Sequence, residues 1–349
     1  MINQVSVWFF WGLLSLVASD ELRPAGRDHA VTKPLPRLSE YQFFRKPLAA
    51  LNPMPEVIEY EVNAALFSNY AWKARFLRLP EGSAMEFRHQ ESFDFPVGTV
   101  LIKNFYFPVD FRNEKLGRHL IETRLLLLDE EGWQAYPYIW NAEQTDAFYD
   151  PAGGKTEISY QDERGKKVTA PYLIPNKNQC KSCHAKAQAL VPIGPTARQL
   201  NRTGSNGKNQ LVDWQASGLL KGMPQMEMIE KMPDYEDPSA NLNTRARAYL
   251  DSNCGHCHRA DGPANTSGLF LDFHEENPTH LGINKTPVAA GRGSGDLPFD
   301  IMPGDPKKSI LLFRMKTNDP GIAMPEVGRE QVHKEGIELI AAWIKEMPR

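Results

Sequence analysis

Cys180-Lys181-Ser182-Cys183-His184 and Cys254-Gly255-His256-Cys257-His258 are two copies of one five-residue pattern, and together they use all four cysteines of the chain. In Cys-x-x-Cys-His, two thiols one helical turn apart can each add to a vinyl group of a porphyrin. The adjacent imidazole then lies under the iron. The pattern is the attachment signature of c-type haem. Zinc is the competing chemistry for paired Cys and His, and it wants four ligands. The two motifs could supply four thiolates, but the identical placement of a His after each pair would then have no role. The motifs predict two covalently bound haem c groups, held by Cys180, Cys183, Cys254 and Cys257, with His184 and His258 as proximal iron ligands.

A sixth iron ligand is sought among the eleven methionines. Met324 precedes Pro325 in a loop with Pro320 and Gly321, just before an amphipathic C-terminal segment, and is the favoured distal ligand of the second haem. A thioether is soft and neutral, and His/Met ligation raises the reduction potential. Met302 and Met315 are its rivals, although Met315 lies in an amphipathic run that suits core packing. For the first haem, Met223-Pro224 repeats the Met-Pro pattern. Met226, Met228, Met232, His89 and His119 compete with Met223, as does an open sixth position. His256, between the second pair of thiols, is expected to point away from the iron. Arg245, Arg247 and Arg259 are candidates for pairing with haem propionates, with solvated helix charges as the equally weighted alternative.

The chain has 349 residues, enough for two or three cores, with a net charge of −3 and a pI of about 6.3. Neither a nucleic-acid surface nor a polybasic membrane contact is suggested. Val5 to Val17 is an uncharged apolar run, too short to span a bilayer comfortably. With the small residues Val17-Ala18-Ser19 behind it, the run fits a secretory signal over residues 1–19. The lysine or arginine that usually precedes such a run is missing. Bacterial haem c attachment outside the cytoplasmic membrane independently favours export to the periplasm, with no membrane span after signal cleavage.

Residues 20–37 read as a proline-bearing linker. Residues 38–170 carry β patterns: alternation over Trp72 to Leu77, an aromatic and β-branched run over Thr99 to Phe107, and two hairpins. The first hairpin pairs His119–Leu128 with Trp133–Trp140 around Asp129-Glu130-Glu131-Gly132. The second pairs Thr156–Tyr160 with Lys166–Ala170 around Asp162 to Gly165. Tyr136 to Asp146 reads as a core strand and loop in preference to a substrate cleft. From Pro171 the pattern turns helical. Asn243 or Thr244 can cap a helix into the second motif, with Ala246, Leu250, Cys254 and Cys257 on one face. Val332, Gly336, Leu339, Ile340 and Trp343 form a terminal stripe in which Gly336 lets two helices approach closely. The expected fold is α+β and multidomain: an N-terminal all-β sandwich-like domain (38–170), then two mostly α-helical cytochrome c-type haem units, 171–238 with the first haem and 239–349 with the second.

Phe95 to Ile102, Glu122 to Leu126, Tyr138 to Asn141 with Gln144 to Asp146, and Ile174 to Asn176 carry a family likeness. Ile193 to Asn201 and Arg247 to Asp251 share it. With the two motifs, these stretches resemble a group of bacterial exported dihaem c-type cytochromes of uncharacterised function with an N-terminal β region. The resemblance covers nearly the whole mature chain and implies haem binding and electron transfer, without a known substrate. The loop Ala323 to Gly328 resembles the Met-Pro loop that donates the distal ligand in many class I cytochrome c domains. Two functions follow. One is a periplasmic dihaem carrier passing single electrons between redox partner proteins, a periplasmic dehydrogenase among the candidates, with the β region as scaffold or docking module. The alternative is a dihaem, peroxidase-like oxidoreductase with an open or displaceable site at the first haem. Against that alternative, the first motif follows a whole β region instead of lying near the mature N-terminus. The carrier is favoured over a stand-alone enzyme.

Overall fold

Strands form both where apolar and polar residues alternate and where the chain is apolar in both phases. In the computed structural model the largest sheet has six antiparallel strands in consecutive order. They are β1 (Val57–Tyr60), β2 (Trp72–Arg78), β3 (Val100–Pro108), β4 (Arg118–Asp129), β5 (Gly132–Trp140) and β6 (Ala147–Tyr149). The structure describes residues 33–204, 206–288 and 290–348. The signal sequence expected over 1–19 lies outside the described residues, as does most of the 20–37 linker. No helix among the described residues is long and apolar enough to cross a membrane.

The β4–β5 hairpin lies where its pattern points, but its turn is tighter than the four-residue loop read from the sequence. Asp129 pairs with Gly132, so only Glu130 and Glu131 bridge the strands. Gly132 adopts φ +111°, which favours glycine. The second hairpin, β7 (Gly154–Gln161) with β8 (Lys167–Ile174), forms a separate two-stranded ribbon. Its Ile158, Tyr160, Ala170 and Tyr172 pack on Phe105, Phe107 and Ile121 of the main sheet. The opposite face of that sheet buries Phe76, Ile102, Leu125 and Tyr138 against the N-terminal segment around Leu38 and Phe43. Both faces are therefore covered, which explains why β3 reads as almost continuously apolar.

The expected pair of mostly α-helical cytochrome c-type haem units behind an all-β sandwich-like domain is not what the chain builds. Among the described residues the fold is β-rich, with one six-stranded antiparallel sheet and six short helices. These are α1 (Lys177–His184), α2 (Ala197–Leu200), α3 (Gln210–Ala216), α4 (Leu242–Leu250), α5 (Ile310–Met315) and α6 (Lys334–Glu346). Only α6 exceeds nine residues. The helical periodicity after Pro171 is real but local. Proline, glycine and asparagine interrupt it every two or three turns, before an independent helical core can form.

The buried contacts follow the same logic. Ala197, Leu200, Leu211 and Trp214 of α2 and α3 pack on Leu77 and Leu101 of the sheet, and Leu220–Lys221 pairs in parallel with Met85–Glu86. Nearer the C-terminus, Ala246, Tyr249 and Leu250 of α4 pack against Leu339, Ile340 and Trp343 of α6. Gly336 is the close approach: a β-carbon there would stand 2.3 Å from the Tyr249 hydroxyl.

Candidate functional site

Asn176 starts the first motif's helix. Its side chain accepts from the Gln179 N–H at 2.8 Å, while the Gln179 side chain accepts from the Asn176 N–H at 3.0 Å. This reciprocal capping box fixes the N-terminus of α1. The short helix then carries Cys180, Cys183 and His184 and stops as the chain turns to extended backbone at Ala185. For the second motif, Asn241 caps α4 by accepting from the Thr244 N–H at 3.3 Å. The cap is not Asn243 or Thr244, because Asn243 instead accepts from the Trp343 indole N–H at 2.8 Å and ties α4 to α6. From α4 the chain passes into a π-helical turn, Asp251–Gly255, which holds Cys254. Such turns re-aim side chains without ending a helix.

Both motifs open onto one cavity of about 1170 Å³, lined by Cys180, Cys183, His184, Cys254, Cys257 and His258. That exceeds the span of roughly 300–1,000 Å³ usual for one small-molecule site. Cys183 of one motif and Cys257 of the other lie close enough to perturb one another, with the His256 imidazole beside them: the Cys257 thiol holds Cys183 below the ordinary thiol value, and Cys257 is raised in return. Burial pushes Cys254 up to about 12. Among the described residues no group of three or more His, Cys, Asp or Glu converges as metal ligands, so the four-thiolate arrangement that zinc would need is not assembled.

The two motif histidines are tied to the following loops. Nδ1 of His184 bonds the Val191 carbonyl at 2.7 Å, and the Val191 N–H returns a bond to the His184 carbonyl at 2.8 Å. The His258 carbonyl accepts from the Leu271 N–H at 2.7 Å, and the Ser267 hydroxyl lies 3.4 Å from its Nδ1. Burial lowers the two imidazoles to about 3 and about 4, respectively. A neutral imidazole whose Nδ1–H is engaged leaves the Nε2 lone pair free for a metal.

The other sequence candidates divide sharply. Met324 lines the cavity, as does Met315. Met223 and Met226 instead pack on the cluster around Leu77 and Trp214, Met228 is exposed and Met232 is buried with Tyr235 and Ile340. None of Met223, Met226, Met228, Met232 and Met302 lines the cavity, nor does His89 or His119. His256 does line it, and its Nδ1 is buried without a hydrogen-bond partner.

Of the three arginines read as propionate partners, Arg259 lines the cavity and Arg245 and Arg247 do not, and each is already engaged by protein groups. Arg245 Nε donates to the Tyr235 carbonyl, and Arg247 Nη2 donates to the Asp272 and Phe273 carbonyls. Arg259 pairs with Glu91 at 3.0 Å and Asp261 at 2.5 Å.

The sequence reading missed the cavity's cationic wall. Arg75 of β2, Lys103 of β3 and Arg124 of β4 are directly paired across the sheet, so their side chains project from one face, and all three line the cavity. Arg124 is compensated: its guanidinium grips both oxygens of the fully buried Glu122 at 2.6 and 2.8 Å and lies 4.2 Å over the Phe105 ring. Burial pulls the Arg124 pKa down, but Glu122 outweighs it and the net shift is upward. For Lys103, burial and the neighbouring Arg75, Lys73 and Arg124 push the amine well below its ordinary value. Burial likewise lowers Arg75. One signal was available: a lone lysine inside a strand apolar in both phases cannot face solvent.

No family model, curated protein or solved structure matches the chain.

Proposed function

We propose that the chain is a c-type dihaem electron-transfer protein of the bacterial periplasm, exchanging single electrons with redox partner proteins and related to the exported dihaem cytochromes its motifs resemble. One observation carries this reading: two Cys-x-x-Cys-His motifs, distant in sequence, open onto one cavity, with both histidines buried on its wall and His184 held through Nδ1. The donor set fits the group. Cys180 with Cys183, and Cys254 with Cys257, would form the thioethers, and His184 and His258 would ligate iron. Met324, which lines the same cavity, is the distal candidate for the second group. Haem supplies reversible one-electron chemistry at iron. The chain would contribute orientation of the imidazoles and two attachment points that meet at one cavity.

The oxidoreductase reading retains one supporting observation. Met223 packs away from the cavity, so its thioether is not offered to the first group. Spectroscopy of exported protein separates the two readings. The carrier predicts two covalent haems per chain, both six-coordinate, with no peroxide turnover. A high-spin haem that turns over peroxide selects the enzyme, and one haem or none sinks the dihaem assignment. Met324→Ala should abolish one methionine–iron charge-transfer band while leaving haem content at two. An unchanged spectrum would refute Met324 as a ligand.

A further inference from the structure

Like charges placed directly opposite one another in a sheet repel, and burial makes each of them costly. Arg75, Lys103 and Arg124 nevertheless stand in one row across three adjacent strands, on the face that lines the cavity. Of the three, only Arg124 has an acidic partner in contact, Glu122. Among the described residues, Arg75 and Lys103 make no ion pair and donate no hydrogen bond that would offset their charge. Glu61, the carboxylate whose field reaches Arg75, is paired with Arg202 at 2.5 Å. Lys73, on the same face, donates to the Leu66 carbonyl at 2.9 Å, a neutral acceptor. Two basic side chains on the cavity wall therefore lack anions of their own.

The row is also oriented. Arg124 is the end near the first motif, because α1 packs on β5, with Lys177 over the Tyr136 ring, and β5 is the neighbour of β4. Lys103 stands on the next strand, β3. Arg75 lies one strand further, and two strand spacings carry the row roughly 10 Å across the sheet. A porphyrin tethered by its vinyl groups at Cys180 and Cys183 projects its two carboxylates away from the thiols.

We propose that Arg75 and Lys103 form an anion seat that receives the propionates of the haem attached at Cys180 and Cys183. The inference rests on the dihaem reading and assigns this role to the sheet in place of Arg245, Arg247 and Arg259. The sheet then serves as one wall of the cofactor site.

The test uses Arg75→Gln and Lys103→Gln in the exported, haem-loaded protein, with charge-keeping Arg75→Lys and Lys103→Arg as companions. Haem content per chain is measured first, and fewer than two in the wild type defeats the dihaem reading itself. With two haems present, spectroelectrochemistry follows each potential against pH. Loss of a nearby cation should disfavour the reduced, more negative haem about tenfold, about 59 mV for one electron. The shift should fall on one haem only, which should also gain a pH slope as its propionate becomes protonatable. The charge-keeping variants should retain the wild-type potential. If the glutamine variants lose the first haem while the charge-keeping ones hold it, the charge requirement stands. Unchanged potentials and slopes in the glutamine variants would overturn the proposal. So would a saturable shift of the wild-type potential by added nitrite or sulfate that the variants lack, because the seat would then belong to a free anion.

Discussion

Gly336→Ala tests the packing that positions the second motif. An alanine β-carbon would stand 2.3, 2.4 and 2.6 Å from Oη, Cζ and Cε2 of Tyr249. Carbon–carbon contacts are comfortable only near 3.5–4.0 Å, so the ring or the helix must retreat by roughly 1 Å. Tyr249 has little freedom to do so. It is 4 % exposed, packs edge-on to Tyr235 at 5.2 Å and shares a hydrogen bond with Nδ1 of His333 at 3.1 Å. Overpacking of this kind costs about 1–3 kcal/mol, and displacing the Tyr249–His333 bond adds about 1 kcal/mol. Against this, alanine favours a helix interior over glycine by about 1 kcal/mol. The balance is destabilising by about 2 kcal/mol, a fall of several degrees in the melting temperature followed by circular dichroism. Combining it with Tyr249→Leu, which removes the obstructing ring, should cost less than the sum of the two single changes. A melting temperature unchanged or raised by Gly336→Ala would refute the argument, because it would mean that helix propensity alone governs the site.

Two further predictions concern buried charge. Glu122→Gln removes the carboxylate that accepts from Arg124 and from the Tyr172 hydroxyl at 2.7 Å, leaving the whole cationic row uncompensated. The expected loss in denaturant unfolding is about 3–5 kcal/mol, and a loss below about 1 kcal/mol would show that Arg124 is solvated. His333, stacked on Phe67 at 4.1 Å, is lowered by burial to about 4. Between pH 4 and about 6.5 the unfolded chain therefore binds more protons, and stability falls as pH drops through that window by up to about 3 kcal/mol. His333→Phe should flatten this slope, and an undiminished slope would place the titrating group elsewhere.

How far the sequence could be read depended on whether a signal was local. The Cys-x-x-Cys-His motifs, the Asp129-to-Gly132 turn and the glycine at 336 act through near neighbours, and their local structure lies where those residues imply. Fold class was misjudged because helical spacing around Cys254 and Trp343 says nothing about what the apolar stripe meets. Here it meets short helices and loops in a β-rich chain. The cationic wall was missed for a related reason. In Trp72 to Leu77, Lys73 and Arg75 occupy the phase that normally faces water. Only the register with Lys103 and Arg124, set by contacts 28 and 21 residues away in sequence, shows that this phase faces a cavity.

Under the proposed function, the two attachment points are chemically unequal, and the inequality has a direction. The first lies at the Arg124 end of the basic row, whose positive charge would stabilise a reduced centre. Its neighbourhood offers no methionine from the 171–238 segment to the cavity. The second would take Met324, which lines the same cavity and as a neutral, soft ligand would favour ferrous iron. Potential would thus be tuned by field at one centre and by ligation at the other. The two levers respond differently to the medium: a buried field is only weakly screened by added salt, and ligation by a thioether does not titrate. The redox couple whose potential shifts when Arg75 or Lys103 loses its charge should therefore be the one that Met324→Ala leaves alone. If a single couple responded to both changes, the two levers would act on one centre and the division of labour between the motifs would be wrong.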